Sequence, residues 1–210
     1  MASLARRLAQ NVGVTLFYDI NQLGGNIPNG DKERYKRRIA DWKEMTRTFP
    51  GMQKFALSIN YRNAREIAEH YLTLLSDALP VKPLADIPVF ETGEVVVHHT
   101  EPNLLEDVLA SILRRLLKEH VATDIGVITV DSHAGRLCRA LRERNLPVCE
   151  HPSGCEVVVT DASIIRGHER RIIVVVTKST EILKRNFGIA IDAYIAMSRA
   201  VQQLFIIETS

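Results

Sequence analysis

The chain has 210 residues, enough for one large domain or one and a half smaller ones. Its 27 basic and 25 acidic residues leave a net charge of +2, so no global field marks it for nucleic acid and any such contact must come from local patches. No apolar run reaches membrane-spanning length, residues 1–11 are too charged for a signal peptide, and three cysteines in no framework spacing (Cys138, Cys149, Cys155) point to a reducing compartment, the cytoplasm.

In chain order, residues 2–10 read as the tail of a helix, with Leu4 and Leu8 one turn apart. Residues 12–18 form a short apolar run that fits a buried parallel strand, and Asp19-Ile20-Asn21-Gln22 lies at its polar tip. Residues 23–30, with their glycines, asparagines and proline, are the best boundary candidate. A charged helix is expected over 31–46, its basic cluster (Lys32, Arg34, Lys36, Arg37, Arg38) facing either a phosphate backbone or water; interleaved acidic residues favour water.

Phe49-Pro50-Gly51 is a turn, residues 55–59 a strand, and Asn60-Tyr61-Arg62-Asn63 its tip. An amphipathic helix follows over 64–79, with Asn63 as its expected N-cap. After a proline-punctuated connection, the spacing predicts a strand over 94–100, a helix over 104–120 and a strand over 124–130. A basic helix capped by Ser132 is expected over 132–145 and a buried strand over 156–160. His98 and His99 read as strand-end histidines, and His151 between Cys149 and Cys155 lacks a second ligand pair for zinc. No metal site is expected.

The most hydrophobic strand is expected over 171–177, and a final helix over 187–201 runs into a strand over 204–207 that closes the sheet. Small residues on one face of that helix (Ala193, Ala196, Ala200) let it sit close to the sheet and leave Arg199 at the rim. A guanidinium there suits a phosphate; the alternative is an arginine that is solvated or pairs with the helix dipole. Strands alternate with helices and no hairpin signal intervenes, which argues for a mainly parallel sheet with helices on both faces.

Four motifs in order then resemble the C-terminal motor half of superfamily 1 helicases of the UvrD/Rep type. Residues 16–22 are similar to motif III, and 49–63 (Phe-Pro-Gly through Leu-Ser-Ile-Asn-Tyr-Arg-Asn) to the segment leading into motif IV. Arg166-Gly167-His168-Glu169 is similar to motif V, and Tyr194-Ile195-Ala196-Met197-Ser198-Arg199-Ala200 to motif VI. The resemblance implies a RecA-like, P-loop NTPase-type α/β fold. It divides the chain into the remnant of a first RecA-like domain (1–30), a connecting helix (31–47) and a second RecA-like domain (48–210).

It also implies site residues. Arg62 and Arg199 would stabilise charge on the transferring phosphoryl group, and Gln22, with Asp19 beside it, would lie near the γ-phosphate and the attacking water. Tyr61 would stack on adenine, Glu169 would accept from the ribose, and Gly167 would allow close backbone approach. Ser163, Arg166 and Thr160 would contact single-stranded nucleic acid, DNA in the first instance with RNA open. The cofactor would be ATP with magnesium, held mostly by an N-terminal RecA-like domain, the expected partner. This chain has no Gly-x-x-x-x-Gly-Lys-[Ser/Thr] loop and no Asp-Glu pair ending an apolar strand, so it is expected not to hydrolyse ATP alone. Asp161 stands where the motif V register expects threonine, and Thr160 fits only with one extra residue. A non-catalytic interaction module of the same fold is the alternative.

Overall fold

The computed structural model describes residues 32–47, 62–75, 92–130, 133–151, 154, 156–165 and 168–210. The strands expected over 12–18 and 55–59, the loop over 23–30 and the Ser132 cap lie outside them, as do Asp19, Gln22, Tyr61, Arg166 and Gly167.

The described elements are α1 (Lys32–Arg47), α2 (Arg65–Leu75), β1 (Glu94–Thr100), α3 (Leu105–Glu119), a 3-10 turn (Ala122–Asp124), β2 (Ile125–Thr129), α4 (Ala134–Glu143), β3 (Val148–Cys149), β4 (Val157–Asp161), β5 (Arg170–Lys178), α5 (Thr180–Arg185), α6 (Phe187–Met197) and β6 (Ala200–Thr209). The six strands form one sheet in the order β1-β6-β5-β2-β4-β3, every pair parallel. This is the expected α/β, RecA-like arrangement.

Strand periodicity sorts the core onto two faces. Ile128, Val130, Ile173, Val175, Leu204 and Ile206 meet α2 and α6 on one side. Ile125, Val127, Ile172, Val174, Val176, Phe205 and Ile207 meet α3 and α4 on the other. Central strands buried on both sides must be apolar throughout, which is why β2 and the middle of β5 carry almost no polar residue.

Three expectations change. The last helix ends at Met197, not at residue 201, and β6 runs over ten residues from Ala200. β6 does not close the sheet either: it lies inside, between β1 and β5. Gln202 and Gln203 hide its first half, because two amides interrupt the apolar run that signals a strand. The short β3 and α5 carry too few residues to show a period. On α1, Lys36 pairs with Glu33 at 2.7 Å and Arg47 with Glu44 at 3.7 Å, both pairs well exposed, which fits the solvated-face reading.

Candidate functional site

Three segments far apart in sequence meet at the edge where β5 and β6 begin. Residues 168–170 lead into β5, residues 198–200 join α6 to β6, and residues 62–64 precede α2. Asn63 ties them together. Its buried side-chain amide donates to the Ser198 carbonyl at 3.1 Å and to the Ala200 carbonyl at 2.6 Å, the carbonyls on either side of Arg199. Its Oδ1 accepts from the Tyr71 hydroxyl at 3.0 Å, and the Tyr71 ring packs edge-to-face on Tyr194 with centroids 5.5 Å apart. The backbone N–H of Ala64 donates to Val201 O at 2.8 Å, and that of Arg170 to Arg199 O at 3.1 Å.

Arg199 therefore sits in a turn held from both sides. The residue is only 2% exposed and its guanidinium folds back, Nε donating to Ile195 O at 3.1 Å. Ser198 Oγ donates to the same carbonyl at 3.0 Å. A cation there complements the negative end of α6 and satisfies a carbonyl that the helix leaves without an intrahelical partner. Of the two readings of Arg199, this conformation shows the one in which it pairs with the end of its own helix, because the turn at Ser198 points the side chain back along α6 and not out of the domain.

Arg62 is different. It is 41% exposed and its Nε forms an ion pair with Glu169, itself 39% exposed. The Arg171 guanidinium donates through Nε to Gln202 Oε1 alongside. At the start of β1 the Gly93 N–H donates to Glu66 Oε2 at 2.6 Å, and this bond, more than the nearby Arg65 charge, holds the Glu66 carboxyl below its usual range. Gly93 is required by packing, since a Cβ there would lie 2.5 Å from the Ala64 Cβ and 3.1 Å from Gln202 O.

Thr160 and Ser163 lie at the opposite edge, where β2 and β4 end. Asp161 accepts from the Thr129 hydroxyl, and its Oδ1 also accepts from the Ala134 N–H at 3.2 Å. It is thus the acceptor at the start of α4, in the role expected of Ser132, and its charge is spent on a helix N-terminus instead of facing outward. Thr160 is 4% exposed, Ser163 half-buried, and Ile164 beside it 60% exposed.

So Arg62, Glu169 and Arg199 share one edge, and Thr160 and Ser163 share the other. Sequence reasoning missed Asn63 as the tie between motifs, reading it as an N-cap. The signal available was the residue type: the asparagine amide offers two N–H donors that can meet two carbonyls, and an acceptor besides.

No protein-family model matches this chain, and no curated protein matches it. Its fold is similar to that of the C-terminal domain of a "possible DNA helicase" from Lactobacillus plantarum WCFS1, with a TM-score of 0.54, 19% identity, and coverage of 71% of this chain and 88% of that one. At that identity the likeness is one of fold.

Proposed function

We propose that this chain is the second RecA-like domain of an ATP-dependent DNA helicase or translocase, presenting the edge where β5 and β6 begin to a nucleotide held by a first RecA-like domain. The observation that carries the reading is the Asn63 tie, which fixes Arg62 and the Arg199 turn to one edge although 137 residues separate Asn63 from Ala200. The fold of the Lactobacillus domain supports it, its name being that of a helicase part.

The donor set fits the phosphate end of ATP and not its magnesium. Arg62 offers a solvent-reached guanidinium, while Glu169 is engaged by Arg62 and Glu66 by Gly93. An exposed ion pair of this kind is worth about 0.2–1 kcal/mol, so a phosphate can displace Glu169 from Arg62 at little cost. Glu169 is then released toward the ribose. Arg199 holds the turn in place and reaches a phosphate only after leaving Ile195 O. Tyr61, Gly167, Asp19 and Gln22 keep their roles in this proposal, as do Ser163 and Arg166 on the nucleic-acid side, whereas Thr160, buried at the end of β4, supports that edge and does not face the strand.

With this chain joined to a phosphate-binding RecA-like domain, Arg62→Ala lowers ATP turnover by orders of magnitude with little change in stability. Turnover near the unsubstituted level would remove Arg62 from the mechanism. The burial of Arg199 favours a second reading at that one position, a purely structural arginine. Under that reading Arg199→Lys costs stability and leaves turnover untouched.

A further inference from the structure

Along α4 run three arginines, two of which the fold does not account for. Arg136, Arg139 and Arg142 are all exposed and recur every third residue, each about 4.5 Å further along the axis. Like charges three apart on a helix destabilise it by a few tenths of a kcal/mol per pair, and Arg136 also sits in the first turn, where the helix dipole disfavours a cation. Arg142 is used by the fold, since its Nε donates to Val148 O at 3.0 Å. Among the described residues, Arg136 and Arg139 have no hydrogen bond or ion pair. Two carboxylates share this flank: Glu143 in the last turn, and Glu150, whose Oε2 would lie 3.6 Å from a Cβ at Gly135.

The place of these arginines matters as much as their charge. The Asp161 bond to Ala134 and the bond from the His133 N–H to Thr129 Oγ1 at 3.3 Å fasten the start of α4 to the end of β2 and β4. That is the edge of Ser163 and the exposed Ile164. The α4 N-terminus itself is already filled by Asp161, so an incoming anion meets the arginine side chains and not the helix end.

We infer that Arg136 and Arg139 bind the phosphates of a single-stranded nucleic acid, extending the strand-binding edge from Ser163 over the outer face of α4. The inference rests on the nucleic-acid half of the reading above and adds a surface to it. The two arginines lie three residues apart on one helix face and their side chains are long and flexible, so each guanidinium can reach its own phosphate along a strand. DNA and RNA share that backbone chemistry.

The test is fluorescence anisotropy of labelled dT and U oligomers with the 210-residue chain over a range of salt concentrations. The Arg136→Gln/Arg139→Gln double variant lowers the slope of log K against log salt by about 1.4, about 0.7 for each phosphate that is no longer neutralised. Affinity at 0.1 M salt then falls about 25-fold and converges with the unsubstituted chain near 1 M. Glu150→Gln tightens binding, and the equal-charge control Lys184→Gln/Arg185→Gln on α5 changes it little. Circular dichroism confirms the fold. Binding that is indifferent to the α4 pair, or that falls equally in the control, overturns the inference and leaves the helicase reading standing. A chain that binds neither oligomer overturns the nucleic-acid half of that reading together with the inference.

Discussion

Replacing Asn63 by alanine removes one amide and three hydrogen bonds at once: two donated to the carbonyls flanking Arg199, and one accepted from Tyr71. All sit at a buried position, so the orphaned groups gain no water in exchange. At about 0.5–1.5 kcal/mol net per bond, the expected loss is about 2–4 kcal/mol. Urea unfolding followed by circular dichroism reads it as a lower midpoint with unchanged slope. Asn63→Ser retains a single hydroxyl donor and falls between the two. Asn63→Asp turns a carboxylate toward two carbonyl oxygens and loses more at neutral pH than alanine does. Part of that loss returns in acid, where the carboxyl is protonated and donates again. A loss below about 0.5 kcal/mol for Asn63→Ala would show that the amide does not hold the turn, and the convergence of the two arginines would lose its physical basis.

Tyr71→Phe costs about 0.5–1.5 kcal/mol alone and little more when added to Asn63→Ala, since both remove the same bond; a double-mutant cycle reads the coupling. Gly93→Ala forces apart the backbone at Ala64 and Gln202 and costs about 1–3 kcal/mol, measured by thermal unfolding against the unsubstituted chain. Asp161→Ala removes the acceptor at the start of α4 and costs about 0.5–2 kcal/mol, with faster amide exchange at Ala134. His70 has its pKa lowered by burial, which the Glu208 charge only partly opposes. Its stabilising contribution is therefore complete above the unfolded-state value near 6.5 and is lost as pH falls toward the folded-state value, and His70→Gln flattens the stability profile over that window.

Much of the fold was legible because buried parallel strands advertise themselves. The segment 94–100 coincides with β1, and the run around Val174 gives β5 within a residue at each end. Elements carried by long-range pairing were not legible. β6 begins at Ala200 because Arg170 and Ile172 on β5 supply its ladder partners, and no local period reports that. The site divides in the same way. That Arg62, Glu169 and Arg199 belong to one edge followed from motif order, whereas the direction of the Arg199 side chain did not, since it depends on the turn at Ser198 and the carbonyl of Ile195. Arg199→Ala accordingly leaves a cavity in the core, whereas Arg62→Ala removes an exposed partner and leaves the fold intact.

The most direct measurement is a nitrogen-resolved amide NMR titration of the chain with ATP and magnesium at millimolar concentration. The account predicts shifts centred on residues 62–64, 168–170 and 198–201, lost in Arg62→Ala. Shifts confined to the opposite edge around Ser163, or to the α4 arginines, would contradict the assignment of the nucleotide to the edge where β5 and β6 begin.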